Sequence, residues 1–108
     1  MLRALYFSTA AAGITPADVD AIIAHAKSAN SERGITGALG YNGRNFCQLL
    51  EGEEATIRSL LAAIEKDPRH SGFKLLDEKQ VQNRKFENWS MKEIDALDFS
   101  QIIGAMND

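Results

Sequence analysis

Residues 45–52, Asn-Phe-Cys-Gln-Leu-Leu-Glu-Gly, are the stretch that most constrains the fold of this chain. Its apolar residues, Phe46 and Leu50 among them, favour a β-strand that is central and buried on at least one face. Gln48 stands in the middle of this strand. Because an unpaired buried polar group costs about 1–3 kcal/mol, the Gln48 amide is expected to have a partner at its donor end and another at its acceptor end.

Strand and helix patterns alternate on both sides of this stretch. Thr15 and Pro16 mark a helix start, Gly34 marks its end, and Asn42-Gly43 predicts a tight hairpin. The predicted elements are strands over residues 2–8, 35–41, 45–51, 73–81 and 89–91, and helices over residues 15 to about 30–32, 53–66 and 97–106. On the fourth strand, Phe73 and Leu75 are predicted to face inward, with Leu76 as a candidate third inward residue.

This element order indicates an α+β, ferredoxin-like fold. The expected architecture is a mixed sheet of about five strands with two helices on one face and a short C-terminal helix. In this arrangement the first strand and the strand that carries Gln48 are predicted to be neighbours and to run parallel, with the first helix crossing above them.

Composition and motifs argue against several classes of function. The net charge of −3 argues against broad electrostatic attraction to nucleic acid or to an anionic membrane. The sequence has neither an apolar run of membrane-spanning length nor a signal-peptide pattern, so a cytoplasmic protein is expected. His25, Cys47 and His70 lack metal-site spacing, so no metal is expected. Neither phosphate-binding glycine motifs nor a nucleophilic triad is recognisable, and Glu51 and Asp67 are not recognisable as a pair, so no enzyme is predicted.

Three polar side chains occupy positions where apolar ones would be usual: Tyr6 on the first strand, Gln48 on the central strand and Asn30 near the end of the first helix. In the predicted fold, Tyr6 and Gln48 could point into one gap that Asn30 covers. Each also has an ordinary alternative: a tyrosine with its hydroxyl in water, a glutamine on a solvated edge and an asparagine at a helix end. The spacing alone leaves these alternatives open.

Several segments together resemble the BLUF family, the blue-light sensors that use flavin. The most specific are Asn-x3-Gly-Ile-Thr-Gly, which starts at Asn30, and Phe-x-Gln-x-Leu-Glu-Gly, which starts at Phe46. The matching segments follow the family's order over about residues 2–93: residues 5–8, 29–39, 46–52, 67–70 and 86–91. The resemblance therefore predicts a photosensor domain over residues 1–93, followed by a capping segment over residues 94–108.

The resemblance implies a flavin bound non-covalently between the two helices, with FAD expected and FMN or riboflavin as alternatives. In this interpretation Tyr6 gives an electron and a proton to the light-excited flavin, and Gln48 relays them and rearranges the flavin's hydrogen bonds. The implied cofactor-binding residues are Tyr6, Ile22, Asn30, Gln48, Asp67, Arg69 and His70. Trp89 and Met91 resemble the family pair that relays the signal, with simple strand packing as their alternative.

Two positions depart from the family pattern. Many members have an asparagine or histidine immediately before the position of Asn30, and often a basic residue one turn before that of Asp67. This chain has Ala29 and Ala63 there. A flavin phosphate is then expected to meet Lys66, Arg69 or a residue of the first helix such as Lys27.

The output of such a sensor is expected to be contact with other proteins. Residues 94–108 have an apolar stripe that would either cap the open face of the sheet or meet a partner. The expected partners are a signalling protein and further copies of the chain, with no nucleic acid and no membrane. The alternative, from a different class, is a ferredoxin-like small-molecule-binding or dimerisation module without photochemistry.

Overall fold

The computed structural model describes residues 1–86, 92–95 and 99–107. Strands and helices follow one another in the predicted ferredoxin-like order, which confirms the fold class. The elements are β1 (Leu2–Ala10), α1 (Pro16–Arg33), β2 (Thr36–Tyr41), β3 (Asn45–Gly52), α2 (Glu54–Lys66), β4 (His70–Gln80), β5 (Lys92–Asp95) and α3 (Ser100–Ala105).

The sheet has the strand order β4-β1-β3-β2-β5. Its first four strands pair antiparallel, and the short β5 pairs parallel with β2 at the edge. The prediction that β1 and β3 run parallel is wrong. The crossover through α1 returns β2 in the direction of β1, and the following hairpin then reverses β3 against both. Tyr6 lies directly opposite Gln48 in the β1–β3 register.

Local sequence signals account for the ends of α1 and for the hairpin. Thr15 accepts a hydrogen bond from the backbone N–H of Asp18, whose carboxylate accepts one from the Thr15 N–H, which makes a capping box. Gly34 ends the helix with φ 68°, a left-handed conformation that costs glycine little. In the hairpin, Asn42 Oδ1 accepts hydrogen bonds from the backbone N–H groups of Arg44 and Asn45.

The two faces of the sheet bury different side chains because successive residues of a strand point to opposite sides. Even-numbered residues of β1 and β3 pack beneath α1 and α2: Leu2, Ala4, Tyr6, Phe46 and Leu50. Odd-numbered ones, Leu5, Cys47 and Leu49, face the other way and pack with Ile102 of α3 and with Met106 immediately after it. Helix α3 approaches β2 so closely that a Cβ on Gly40 would lie 2.9 Å from Ile102 Cδ1.

A charged group, here called the Arg3–Glu51 cluster, is buried on the α3 side of the sheet. Arg3 Nε donates to Glu51 Oε2 over 3.1 Å, and Glu51 is 0% and Arg3 3% exposed. Glu51 also accepts hydrogen bonds from the backbone N–H groups of Lys85 and Phe86 at 2.6 and 2.9 Å. Arg3 donates further to the carbonyl of Ala105. The cluster therefore ties the segment after β4 and the end of α3 to the sheet.

Strand β4 differs from the prediction in the residue at which it begins and in the burial of its leucines. It begins at His70, three residues earlier than expected. Phe73 is half-buried as predicted, but Leu75 and Leu76 are 39% and 46% exposed. The register of β4 against β1 shifts between Leu5 and Tyr6. Because β4 is an edge strand of the sheet formed by the described residues, none of the described strands lies on its outer side, next to these two leucines.

Some predictions fall on the segments that the structure leaves undescribed. The strand predicted over residues 89–91, which contains Trp89 and Met91, lies outside the described residues. Of the C-terminal segment, residues 99–107 are described, and their helix is shorter than the predicted 97–106. Among the described residues, no helix is long and apolar enough to span a membrane.

Candidate functional site

A cleft opens between α1 and α2 above the helix-facing side of the sheet. It holds about 730 Å³ of empty space, part of which is open to solvent. The structure places every predicted cofactor-binding residue in its lining: Tyr6, Ile22, Asn30, Gln48, Asp67, Arg69 and His70. Residues from α1 and α2, from the strands β1 to β4 and from the turn before β4 thus line one cleft.

Tyr6 and Gln48 form the floor of the cleft. Since they are opposite each other in adjacent strands and point to the same face, their side chains meet, and Tyr6 Oη donates a hydrogen bond to Gln48 Oε1. Both are almost fully buried, at 2% and 3% exposed. The phenol ring also stacks on Phe73, with ring centroids 5.1 Å apart. The alternatives of a water-exposed hydroxyl and a solvated edge glutamine are therefore wrong.

Burial raises the pKa of the Tyr6 phenol well above its ordinary value, and the neighbouring Cys47 and Asp67 act in the same direction. The phenolate form is disfavoured because it would be a desolvated negative charge. Tyr6 therefore keeps its proton at neutral pH and holds it on the hydrogen bond to Gln48.

Asn30 stands in the last turns of α1 and is 1% exposed. Its backbone carbonyl accepts the hydrogen bonds of Gly34 and Ile35 that close the helix, while its side chain lines the cleft. Ile22 lies two turns earlier on the same helix and is 7% exposed. Asn30 is thus more than an asparagine at an exposed helix end, because it presents a buried amide to the cleft.

An ion pair borders the cleft after α2. Arg69 Nη2 lies 2.6 Å from Asp67 Oδ2, and the Arg69 backbone N–H donates to Asp67 Oδ1 over 2.9 Å. The hydrogen bonds from Arg69 hold the pKa of the Asp67 carboxyl below its ordinary value, and the same pair raises the pKa of Arg69. The charge of Arg69 is thus already balanced within the chain.

His70, the first residue of β4, lies against the floor of the cleft. Its Nδ1 is 2.8 Å from Ser8 Oγ, and its ring centroid is 4.8 Å from that of Phe46. Burial lowers the pKa of His70; Arg69 acts in the same direction and Asp67 against it. The imidazole is therefore neutral at physiological pH and is held by the serine hydroxyl.

Sequence reasoning missed part of the lining. Arg33 and His25 of α1 both border the cleft. Arg33 lies four residues after Ala29 on the same helical face, so the helical spacing could have found it. In the lining that the structure describes, Arg69 is the one member of the expected trio Lys27, Lys66 and Arg69. Two further lining residues, Ala29 and Ala63, occupy the positions that depart from the family pattern.

The lining suits a flat, mostly apolar ring with a polar edge. Aliphatic side chains form the walls, and the amides of Asn30 and Gln48 supply hydrogen-bonding groups on one side. Within the described residues, no group of three or more His, Cys, Asp and Glu side chains is placed to hold a metal ion. The aliphatic walls and the buried amides of Asn30 and Gln48 fit a flavin ring.

Comparison with known proteins gives the same family. The family model described as sensors of blue-light using FAD matches residues 1–92. This chain belongs to that family, BLUF, whose description names the predicted cofactor. A solved structure, the dark state of the BLUF protein BlrB, superposes with a TM-score of 0.83 at 30% identity and covers 93% of this chain and 76% of BlrB.

Two curated relatives are much longer than this chain. The blue light- and temperature-regulated antirepressor BluF of Escherichia coli (strain K12) is 38% identical over 52 residues, which are 48% of this chain and 13% of BluF. Subunit beta of the photoactivated adenylate cyclase of Euglena gracilis is 34% identical over 64 residues, which are 59% of this chain and 8% of the subunit. The chain thus spans a small part of each.

Proposed function

We propose that this protein is a blue-light photoreceptor that binds a flavin non-covalently in the cleft between α1 and α2. The observation that supports this most strongly is the buried hydrogen bond from Tyr6 to Gln48 on the cleft floor. FAD is the expected flavin, with FMN and riboflavin as alternatives. Asn30 would hold the polar edge of the ring, Ile22 would pack on its face, and the group Asp67, Arg69 and His70 would border the tail.

Bound flavin supplies the absorption of blue light and, once excited, a strong oxidant. Tyr6 is the aromatic electron donor on the cleft floor, and burial keeps its proton on the phenol oxygen before excitation. Loss of an electron to the excited flavin would make that proton strongly acidic. That proton leaves Tyr6 Oη along the existing hydrogen bond to Gln48 Oε1. On accepting it at Oε1, Gln48 would release a hydrogen from Nε2 toward the flavin, which the transferred electron has made more basic. Gln48 would then have turned over or changed tautomer, and would present a donor where it had presented an acceptor.

The proposed output passes from the sheet to another protein. Gln48 belongs to β3, and the same strand carries Glu51, which binds the segment after β4. A shift of β3 would therefore reach residues 85 and 86, just before Trp89 and Met91, the proposed relay pair. The names of the antirepressor and the cyclase subunit indicate that this kind of sensor accompanies very different outputs.

For this chain we propose signalling through protein contacts rather than catalysis. Residues 1–93 would form the sensor and residues 94–108 a capping segment, in line with the packing of α3 on the sheet. The partner would be a signalling protein met in the cytoplasm, and the chain itself would associate with further copies. Association can be measured by light scattering in darkness and in blue light.

The function is tested by visible spectra of the purified protein before and after blue light. The parent should be yellow and should show a small red shift that relaxes in the dark. Tyr6→Phe and Gln48→Leu should bind flavin without the normal shift. Tyr41→Phe is the matched control, since Tyr41 lies beyond the cleft lining in β2 and should leave the shift intact.

Two results would count against the proposal. A Tyr6→Phe variant that shifts and relaxes like the parent would refute the donor role of Tyr6. A colourless protein that stays colourless after incubation with FAD, FMN and riboflavin would refute flavin binding and leave the alternative, a small-molecule-binding or dimerisation module.

A further inference from the structure

One arginine in the cleft lining has no counter-charge in the described part of the chain. Arg33 borders the cleft and is exposed, and it makes no ion pair or side-chain hydrogen bond with any described residue. Arg69, the other lining arginine, is held by Asp67 at 2.6 Å. Arg33 is therefore the lining guanidinium whose charge and donors remain available to a ligand.

The position of Arg33 directs it along the cleft wall. Residues four apart lie on one helical face, and long helical side chains lean toward the helix N-terminus, so the Arg33 side chain can reach along the wall toward Ala29. Arg33 also borders a shallow hollow lined by Ala55, Thr56 and Ser59 of α2. Across the cleft, α2 contributes Ala63 and Leu60. The small side chains at 29 and 63 leave space that the guanidinium can enter from the end of α1.

The charge of the protein makes such a cation useful. The net charge is −3, so the chain as a whole repels an anion such as a phosphorylated flavin. A guanidinium offers several N–H donors in a planar fork, which suits phosphate and carbonyl oxygens. In the cleft this role falls to Arg33, because the fork of Arg69 is already engaged by a carboxylate.

We propose that Arg33 binds an electron-rich oxygen of the flavin and is a determinant of flavin affinity in this protein. The inference rests on the proposed function, since it assigns a residue to the same cofactor site. Two parts of a flavin carry such an oxygen: the phosphate of the FAD or FMN tail, and the carbonyl groups at the polar edge of the ring. Asn30, three residues before Arg33, faces the same cleft.

Flavin titrations test the assignment and separate the two oxygens. The parent, Arg33→Gln and Arg33→Lys are freed of flavin and titrated with riboflavin, FMN and FAD, and binding is followed by the quenching of flavin fluorescence. Arg33→Gln should weaken binding about tenfold or more, the usual size for a hydrogen bond to a charged group. Arg33→Lys should recover part of the loss, because it keeps the charge but not the fork.

The pattern across ligands identifies the oxygen. If Arg33→Gln weakens FMN and FAD but not riboflavin, the partner is the phosphate; an equal loss for all three places it on the ring. Arg44→Gln is the matched control, an exposed arginine in the hairpin outside the cleft lining, and should bind like the parent.

Unchanged affinity of Arg33→Gln for all three flavins would overturn the proposal. An equal loss in Arg44→Gln would also overturn it, because the effect would then be that of overall charge. A parent that binds none of the flavins would be a different result, since it would refute the proposed function itself.

Discussion

Glu51→Gln is expected to cost a large part of the stability of this domain. The substitution keeps the size of the side chain but removes the negative charge of the Arg3–Glu51 cluster. Glu51 is 0% exposed and Arg3 is 3% exposed, so the remaining guanidinium cannot be rehydrated without opening the α3 side of the sheet. The new amide nitrogen also faces one backbone donor, the N–H of Lys85 or that of Phe86 according to the orientation of the amide, and cannot accept from it.

Removing one partner of a buried ion pair costs about 3–5 kcal/mol, because the other charge is left uncompensated. A buried N–H that loses its acceptor costs about 1–3 kcal/mol, and part of this is already contained in the first figure. The free energy of unfolding should therefore fall by about 3–5 kcal/mol. That is a large fraction of the roughly 5–15 kcal/mol that holds a typical domain folded.

Urea unfolding followed by far-ultraviolet circular dichroism measures this change. Glu78→Gln is the control: it breaks an ion pair with Arg58 whose side chains are 46% and 38% exposed, and should leave the unfolding midpoint nearly unchanged. Adding Arg3→Met to Glu51→Gln should recover part of the lost stability, because no charge is then left buried alone, while the amide at residue 51 still faces a backbone N–H. A loss below about 1 kcal/mol for Glu51→Gln, the range of a surface pair, would refute this account of the cluster.

Three further predictions concern two glycines, His70 and Cys47. Gly37→Ala should destabilise the sheet, because its Cβ would lie 1.9 Å from the Leu49 carbonyl oxygen, whereas Gly104→Ala in α3 has open space and should stabilise by about 0.5–1 kcal/mol; thermal midpoints in the opposite order would contradict this. Burial lowers the pKa of His70, so the unfolded chain binds that proton more readily, and stability should fall as pH drops from about 6.5 through the folded pKa. His70→Gln should flatten that dependence, and urea midpoints at several pH values that fall as steeply as the parent's would count against it. Burial raises the pKa of Cys47 to about 11, so a thiol reagent should modify it only as the protein unfolds, and rapid labelling of the native protein would disprove this.

The central features of the cleft could be predicted because their signals are local. The apolar strand around Gln48 and the helix ends at Thr15 and Gly34 depend on residues within a few positions of one another. The family segments then brought Tyr6 and Asn30 to the same site. The direction of β3 against β1 was predicted wrongly because it follows from the path of the whole chain and not from either strand alone.

The remaining errors concern contacts between residues far apart in sequence. Arg3 and Glu51 are 48 residues apart, and charged residues are usually exposed, so nothing in the sequence indicated a buried pair. Arg33 was missed because an arginine in the last turn of a helix is already explained by the helix dipole. Leu75 was placed inward from alternation and lies opposite Tyr6, but it is 39% exposed because β4 is an edge strand of the described sheet.

The alternation of β3 also bears on how sensors of this kind can be rebuilt. Residues 46, 48 and 50 belong to the cofactor side, whereas residues 47, 49 and 51 belong to the side covered by α3, so each set can be redesigned while the other is kept. Gly40 limits which segments could replace α3 in such a redesign. Because α3 sits where a Cβ at residue 40 would collide, a replacement segment must either approach the sheet as closely or fill the groove with a larger side chain. The two faces of the sheet can therefore be changed independently. The face beneath α1 and α2 can be kept for the flavin while the face that α3 covers is redesigned.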